Sequence, residues 1–157
     1  MKSLIIYYSK YNNNTEKIAK VFADKINADL INLNNSDDIH FDIETYDLIG
    51  FGSGVYNEDL SPKLYSLLEK LDLNEKKVFV FSTSCVGFKF YNKKLLKILV
   101  SKGATYKGSF ACKGSFIYKD NKIFEFFSKR SIGHPNDEDV EKAMKFIEAV
   151  QKNKKSS

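Results

Sequence analysis

The chain contains little cysteine and no long apolar sequence. Only two of its 157 residues are cysteine. Two cysteines form neither a disulfide framework nor a metal site, so we expect Cys85 and Cys112 to be small, reduced and mostly buried side chains. The longest apolar runs have five or six residues, whereas a helix that crosses a bilayer needs about 20. The sequence therefore favours a protein with no membrane partner and no metal.

The chain length and the two termini predict one domain. A chain of 157 residues with 43% hydrophobic and 14% aromatic residues can bury one well-packed core. We expect a single domain over residues 1–152 and a flexible basic tail over residues 153–157. One lysine and a very short apolar run at the N-terminus do not resemble a secretory signal, so we expect a cytoplasmic protein.

The formal net charge is +5, but the basic residues are dispersed. Residues 113–130 contain five basic and two acidic residues, and no recognised nucleic-acid-binding motif accompanies them. Solvated helix faces and the tail explain most of the excess. We therefore expect no nucleic-acid partner, whereas a partner with an acidic face stays open.

Short β-prone runs alternate with helical patterns along most of the chain. The apolar patterns predict strands over residues 4–8, 29–33, 48–52, 78–81 and 106–113. Helical spacing predicts helices after Thr15, from Pro62, around residues 95–99 up to Gly103, and after Asn136. Asn136 followed by three acidic residues is typical of an N-cap. An irregular aromatic segment is expected after residue 113.

This order, β-α-β-β-α-β-α-β-α, predicts a doubly wound α/β sheet with helices on both faces. In such sheets, ligands bind outside the carboxyl ends of the strands, at the topological switch point. Three loops should lie there, over residues 9–15, 53–61 and 82–91.

The first loop, "SKYNNNT", is expected to lie at a helix N-terminus, which is a ready site for an anion. Ser9 and Thr15 add hydroxyl donors, and asparagine supplies amide donors and tolerates unusual backbone angles. The loop lacks the glycine-rich fingerprint of dinucleotide folds and the Lys-Ser/Thr pair of nucleotide triphosphate loops. Its chemistry suits a terminal phosphate held without a metal. A simple helix cap by Asn14 or Thr15 is an equally good interpretation of the residues alone.

The second and third loops, "SGVYNEDLSP" and "STSCVGFKFYN", combine hydroxyl groups with aromatic rings. A planar ring with polar edges needs a flat stacking partner and hydrogen-bonding groups at its rim. Each loop alone is weak evidence, because a loop aromatic more often covers the edge of a core. Three such loops on one rim are better evidence for a ligand.

The motifs "LIIYYSKYNNNTEKIA", "GFGSGVY", "FSTSCVGF" and "GHPNDEDVEKA" together resemble the flavodoxin family, in particular its short members with a seven-residue phosphate loop. The resemblance covers essentially the whole chain. It implies a flavodoxin-like five-stranded parallel sheet in the order 2-1-3-4-5, and FMN as the cofactor.

By the same resemblance, the first loop would bind the FMN phosphate, the second would flank the isoalloxazine, and the third would line its other side and pyrimidine edge. The implied cofactor-binding residues are Ser9, Tyr11, Asn12, Asn13, Asn14, Thr15, Ser53, Gly54, Val55, Tyr56, Ser82, Thr83, Ser84, Cys85, Gly87 and Phe88. Gly54 is the candidate for a peptide that reorients on flavin reduction, since glycine adopts either sign of φ. Family members are usually acidic, and this chain is basic.

These features support an FMN-binding electron carrier, a monomer or weak dimer that exchanges electrons with redox partner proteins. The alternative is an FMN-dependent NAD(P)H:quinone or small-molecule oxidoreductase, for which the segment "SFIYKDNKIFEFF" could form a wall or a dimer contact. The same segment could equally be an insertion that covers the core. A phosphorylated receiver is excluded, because strand 3 ends in Gly-Ser where an acceptor aspartate is required. No side chain is needed as a catalytic acid or base, and His40 and His134 are expected to lie away from the three loops. Lys89, Lys93 and Lys113 are expected near the rim, opposite Glu58 and Asp59.

Overall fold

A computed structural model of the chain describes residues 1–35 and 39–152. The predicted tail over residues 153–157 therefore lies outside the described residues, as do three residues of the polar stretch that follows the second strand. Among the described residues, no helix has the length and apolar character that a bilayer span requires.

The described chain forms a parallel α/β sheet with one short antiparallel hairpin. The elements in chain order are β1 Ser3–Tyr8, α1 Asn14–Ile26, β2 Asp29–Asn32, β3 Leu48–Tyr56, β4 Asp59–Leu60, α2 Pro62–Lys70, β5 Lys77–Ser84, α3 Lys93–Ser101, β6 Thr105–Lys113, α4 Lys122–Lys129 and α5 Asp137–Lys152. Two 3₁₀ turns, Ile43–Thr45 and Lys89–Asn92, precede β3 and α3.

The sheet runs in the order β2-β1-β3-β5-β6, and β4 pairs only with β3. All pairs in the main sheet are parallel, whereas β3 and β4 form an antiparallel hairpin. Counting the five long strands alone, the order is the predicted 2-1-3-4-5. The doubly wound, flavodoxin-like fold class is thereby confirmed.

Helices cover both faces of the sheet, and the two cores differ in composition. On one face, α2 and α3 contribute leucines such as Leu64, Leu68, Leu95 and Leu99 to an aliphatic core. On the other face, α1 and α5 enclose a core rich in phenylalanine. The ring of Phe22 in α1 contacts four phenylalanine rings, those of Phe79, Phe81, Phe110 and Phe146.

Two glycines of β3 make room for this aromatic core. A Cβ added at Gly50 would lie 2.3 Å from the ring of Phe79, and one at Gly52 would lie 2.1 Å from the ring of Phe81. Real Cβ atoms do not approach other atoms this closely. Positions 50 and 52 of β3 must therefore lack side chains, because the two large rings on β5 fill the space that a Cβ would need.

The start of α5 matches the predicted cap at Asn136. The Asp139 N–H donates to Asn136 Oδ1 at 3.0 Å, and the Asn136 N–H donates to Asp139 Oδ2 at 2.9 Å. This reciprocal pair satisfies two backbone donors that have no partner within the helix.

Three expectations about element boundaries were wrong. Strand β3 continues to Tyr56 and strand β5 continues to Ser84, so the predicted second and third loops begin inside strands. The aromatic segment after residue 113 is not irregular throughout, since it contains helix α4. Asn121 begins that helix, and its side chain accepts a hydrogen bond from the Ile123 N–H.

Candidate functional site

Three of the sequence-predicted segments meet at the carboxyl ends of β1, β3 and β5. Tyr8 is opposite Ser53 in the sheet, and Ser53 is opposite Ser82. The hydroxyl groups of Thr15 and Thr83 lie 2.8 Å apart, and the Tyr56 hydroxyl accepts a hydrogen bond from the Lys10 N–H at 2.9 Å. The first loop is thus bonded to both of the other segments.

The backbone of the first loop explains two of its three asparagines. Asn12 and Asn13 have φ values of 53° and 54°, in the left-handed region that asparagine tolerates better than most residues. Helix α1 begins at Asn14, with Asn13 at the N-cap and no side-chain capping bond. The alternative that Asn14 or Thr15 acts as a simple helix cap is therefore wrong. Instead, the Glu16 N–H donates to Ser9 Oγ at 3.3 Å.

The side chains of Asn12 and Asn14 hold this loop against the segment after β6. Their amide groups both donate to the Ser115 carbonyl, at 2.6 and 3.0 Å. A Cβ at Gly114 would lie 2.7 Å from the Asn14 side chain, so a glycine is needed for this approach. These two side chains brace the loop, which leaves backbone N–H groups and the hydroxyl groups of Ser9 and Thr15 as donors for an anion.

Two residues that position the loop were missed by sequence reasoning. Ser115 accepts both asparagine amides, and Asn34 accepts a hydrogen bond from the Ser9 N–H at 2.9 Å. The rule that ligands bind at the carboxyl ends of the strands could have indicated Asn34, because Asn34 follows β2 at that edge of the sheet. No local pattern marked Ser115, whose role depends on residues about a hundred positions earlier in the chain.

The second segment is a strand and a tight hairpin. Buried Ser53 donates its hydroxyl to the Gly54 carbonyl at 2.7 Å and accepts from the Ser61 N–H at 2.9 Å. Gly54 pairs with Thr83 in the sheet, so it does not lie in a free loop. The residues of this hairpin with positive φ are Asn57 and Glu58, at 50° and 64°. The turn, and not Gly54, therefore carries the unusual backbone geometry.

Tyr56 lies at the centre of a group of flat rings on the rim. Its ring centroid lies 5.6 Å from that of Tyr8 and 5.8 Å from that of Tyr11, and Tyr11 contacts Phe116 at 4.8 Å. Burial raises the pKa of Tyr56 to about 12, so its hydroxyl stays protonated at neutral pH. Val55, the preceding residue, pairs with Leu60 and packs on the aliphatic core.

The third segment offers hydroxyl groups and a tight turn. Ser82 Oγ is buried and has no hydrogen-bond partner among the described residues, and Ser84 Oγ accepts from the Gly87 N–H at 2.8 Å. Gly87 has φ +70°, and a Cβ there would lie 2.9 Å from the Lys113 backbone nitrogen, so only glycine fits. Cys85 is half-buried and burial raises its thiol pKa, which argues against a reactive thiolate.

The outer end of this segment is open to solvent. Phe88 is 60% exposed, and Phe90 is similarly exposed beneath the Lys93 ammonium group. Cys112, on the neighbouring strand, is buried as expected, and burial raises its pKa to about 12.

The expectation that His134 lies away from the three loops was wrong. His134 lines a cavity of about 270 Å³ together with Val86, Gly87 and Cys112. Its Nδ1 atom lies 2.5 Å from Asp139 Oδ2, and its carbonyl accepts from the Ser115 N–H. The loop before α5 folds back towards the third segment, which the sequence pattern did not indicate. His40 is exposed, as expected for a surface residue.

Some of the charged residues predicted at the rim are already paired with other side chains. Lys94, which was not in the prediction, bonds to Asp59 at 2.5 Å, and the Tyr65 hydroxyl donates to the same carboxylate at 2.7 Å. Burial alone would raise the pKa of Asp59, but these hydrogen bonds outweigh it and the pKa lies below its ordinary value. Asp59 is therefore a paired anion, and Lys89 and Lys93 are exposed.

The arrangement matches a recognised family. A family model described as a flavodoxin domain matches residues 4–137. This chain belongs to the flavodoxin family. An uncharacterised protein of Methanocaldococcus jannaschii is 44% identical over 158 residues, which cover 98% of this chain and all of that protein.

Solved flavodoxins share the fold at low sequence identity. The flavodoxin of Streptococcus pneumoniae superposes with a TM-score of 0.69 at 19% identity, over 98% of this chain and 99% of that one. A flavoprotein of Lactobacillus acidophilus, solved in complex with FMN, gives a TM-score of 0.56 at 22% identity, over 69% of this chain and 91% of that one.

The donor set of this flavodoxin suits a phosphate linked to a flat ring. The first loop contains no carboxylate and presents hydroxyl groups and helix N-terminal amides. Tyr56 and Tyr11 supply flat surfaces beside it, and buried Ser82 Oγ on the adjoining strand lacks a hydrogen-bond partner within the described part of the chain. Among the described residues, no group of three His, Cys, Asp or Glu side chains is arranged to hold a metal ion.

Proposed function

We propose that this protein binds FMN and carries electrons between redox partner proteins. The observation that best supports this is the convergence of the three polar segments at the carboxyl ends of β1, β3 and β5, with the N-terminus of α1 among them. FMN, when bound, supplies reversible one- and two-electron chemistry, and the protein supplies binding, orientation and electrostatics.

In this proposal, the first loop holds the phosphate. The Thr15 N–H and the hydroxyl groups of Ser9 and Thr15 donate to it, and the helix dipole favours its negative charge. The Asn14 and Glu16 N–H groups already donate to the Tyr11 carbonyl and to Ser9 Oγ. Asn12, Asn13 and Asn14 fix the shape of the loop through left-handed backbone angles and the bonds to Ser115. The phosphate thereby replaces water at donors that are already in place, which lowers the entropic cost of binding.

The remaining proposed contacts concern the ring. Val55 and Tyr56, which follow Ser53 and Gly54, would flank one side of the isoalloxazine. The residues that would line its other side and polar edge are Ser82, Thr83, Ser84, Cys85, Gly87 and Phe88. Gly87 allows backbone N–H and carbonyl groups to come near the edge, and the aromatic side chains exclude water from it.

The carboxylate of Asp59 is already paired, which favours a carrier over a self-sufficient enzyme. Asp59 is bonded to Lys94 and Tyr65. It is therefore not a free general base. Electron transfer to a partner protein needs none.

One observation favours a second candidate, an FMN-dependent oxidoreductase acting on a quinone or another small molecule. The rings of Tyr11, Phe116 and Tyr118 form a row beside the site, and such a row can enclose a flat substrate. Rapid oxidation of NADH or NADPH with a quinone acceptor would favour this candidate. A negligible rate, together with fast electron exchange with a redox protein, supports the carrier.

The deciding experiment is a titration of the purified protein with FMN and with riboflavin. We expect FMN fluorescence to be quenched at a ratio of one to one, and riboflavin to bind at least about 100-fold more weakly because it lacks the phosphate. Asn13→Asp should weaken FMN at least about tenfold and leave riboflavin unchanged. The reason is that aspartate tolerates the same left-handed backbone and adds only a repelling charge.

The matched control is Asn27→Asp, the same exchange in the same backbone conformation at the other end of α1. This variant should bind FMN as the wild type does. A colourless protein that does not quench FMN fluorescence would contradict both candidate functions. Equal affinity for FMN and riboflavin would contradict the assignment of the first loop to the phosphate.

A further inference from the structure

Helix α4 turns its apolar side towards solvent. Phe124, Phe126 and Phe127 are 55%, 59% and 47% exposed, and Ile123 and Ile132 are 66% and 60% exposed. The four residues within the helix have the spacing of one continuous helical face. Soluble domains normally turn such a face inward, and contiguous exposed apolar patches of this kind mark interaction sites. We call these five residues the α4 patch.

Small polar groups at the C-terminal end of the helix and just after it hold the helix against the domain. Ser128 and Ser131 are fully buried. The Tyr118 N–H donates to Ser128 Oγ at 2.9 Å, and the Phe116 N–H donates to Ser131 Oγ at 3.0 Å. Ser131 Oγ in turn donates to the Ser128 carbonyl at 2.6 Å. The orientation of α4 is therefore specified by hydrogen bonds, which keep the phenylalanines outward.

Basic residues surround the α4 patch. The Arg130 guanidinium lies 5.3 Å from the centre of the Phe126 ring, and Lys129 forms an i,i+4 ion pair with Glu125. The exposed or partly exposed charged residues of this stretch are Lys119, Asp120, Lys122, Glu125, Lys129 and Arg130. Four are basic and two are acidic. Aromatic side chains and arginine together are the composition of protein-binding hot spots.

The α4 patch is continuous with the proposed cofactor site. Successive ring contacts join Phe124 to Tyr118, Tyr118 to Phe116 and Phe116 to Tyr11, with centroid distances of 5.7, 6.3 and 4.8 Å. Tyr11 belongs to the first loop and contacts Tyr56. A protein seated on the patch therefore also lies beside the rim where the cofactor is proposed to bind.

We infer that the α4 patch is the docking surface for a redox partner protein that has an apolar centre and an acidic rim. The phenylalanines anchor the contact, and Lys122 and Arg130 steer the acidic surface to it. The redox character of the partner rests on the proposed function, whereas the docking surface rests on the exposed helix itself. The sequence did not predict the helix, and it left open whether the aromatic residues of this segment form an outer contact or cover the core.

Charge decides against a second copy of this chain. A second copy would bring two basic rims together, and like charges facing one another weaken association. An anionic membrane would meet the same cations on a helix of only eight residues, so the test below includes vesicles as a separate outcome. An acidic protein surface with an apolar centre would pack against the rings and pair with the basic residues.

The test measures complex formation and electron transfer with two redox proteins of opposite charge. The first is a small acidic two-cluster ferredoxin, and the second is basic mitochondrial cytochrome c. We expect the double variant Phe126→Ser, Phe127→Ser to weaken binding of the ferredoxin at least tenfold. Lys122→Glu with Arg130→Glu should also weaken binding of the ferredoxin at least tenfold, and should increase the association rate with cytochrome c.

Matched controls lie on α3, away from the patch. Val100→Ser removes an exposed apolar side chain and Lys97→Glu reverses an exposed charge. Both controls should change ferredoxin binding less than twofold. Binding is measured by calorimetry with and without FMN. The docking result can therefore be interpreted even if FMN does not bind. Unchanged circular dichroism shows that each variant is folded.

Three results would overturn the inference. The first is a ferredoxin affinity that does not respond to the patch variants. The second is cosedimentation of the wild type, but not of the phenylalanine variant, with phosphatidylglycerol vesicles, together with no effect on ferredoxin binding. The third is a dimer in sedimentation velocity that the phenylalanine variant dissociates, which would assign the patch to a second copy of the chain.

Discussion

The Thr15 and Thr83 hydroxyl groups form a hydrogen bond of 2.8 Å between residues 68 positions apart in the chain. Both side chains are buried, at 1% and 4% exposure. The bond joins the first turn of α1 to the carboxyl end of β5, and so fixes the proposed phosphate loop relative to the proposed ring-binding segment.

Removing one of these hydroxyl groups should destabilise the protein. Thr83→Val leaves the Thr15 hydroxyl buried without its partner, which costs about 1–3 kcal/mol in the free energy of unfolding. Thr15→Val should cost a similar amount and also weaken FMN binding at least about tenfold, because this hydroxyl is a proposed phosphate donor. Urea denaturation and FMN titration measure the two effects separately.

The double variant of the same pair supplies the control. Replacing both hydroxyl groups by methyl groups removes donor and acceptor together, so its loss of stability should be smaller than the sum of the single losses. FMN affinity should stay as low as in Thr15→Val. Additive losses of stability would show that the two hydroxyl groups do not interact.

Gly54 and Tyr56 should be coupled through space. A Cβ at Gly54 would lie 2.5 Å from the Tyr56 hydroxyl, so Gly54→Ala should displace that hydroxyl and break its bond with the Lys10 N–H. We expect a loss of about 1 kcal/mol in the free energy of unfolding and a weaker affinity for FMN. Tyr56→Phe removes the same bond without adding a side chain at position 54. In the Tyr56→Phe background, Gly54→Ala should therefore cost less than it does in the wild type, and an equal cost would contradict this coupling.

Stability should decrease at alkaline pH partly because of Tyr56. Burial raises the pKa of this hydroxyl from 10.0 to about 12 in the folded protein. A raised pKa means that the folded state retains a proton that the unfolded state loses, so the contribution to stability is complete below pH 10 and is lost between pH 10 and 12. Urea denaturation at several pH values should show a shallower decrease for Tyr56→Phe than for the wild type. Parallel curves would show that Tyr56 does not titrate in this range.

The potential for forming fully reduced flavin should be less negative here than in acidic members of the family. Exposed Lys89 and Lys93 follow the third segment, and Asp59 is neutralised by Lys94. Positive charge near the site stabilises an anionic reduced flavin. Lys89→Glu with Lys93→Glu should lower the potential by a few tens of millivolts in a potentiometric titration, with Lys97→Glu as the control. A potential as low as that of acidic flavodoxins would count against this placement of charge.

Most of the sheet was predictable because local sequence patterns mark its strands. The apolar runs around residues 4–8 and 78–81 have the length and composition of buried strands, and their alternation with helical patterns then indicated a doubly wound order. The carboxyl-end rule located the three segments of the site from topology alone. All three segments do meet at that end of the sheet.

The errors concern contacts that no local pattern carries. Strand β3 continues through a glycine-containing segment because Val55 finds a cross-strand partner in Leu60. The asparagines of the first loop were interpreted as donors to a ligand, whereas Asn12 and Asn14 bond to Ser115. Helix α4 was missed because its segment was interpreted as irregular, and its aromatic side chains point to solvent.

The two glycines of β3 have a consequence for how this chain can vary among its relatives. Gly50 and Phe79 occupy one shared volume, and Gly52 and Phe81 occupy another. A side chain gained at either glycine requires a smaller residue at the phenylalanine opposite, so we expect larger residues at positions 50 and 52 only where the opposite phenylalanine has been replaced. These two pairs provide a covariation signature by which homologues that share this aromatic core can be separated from those that fill it in another way.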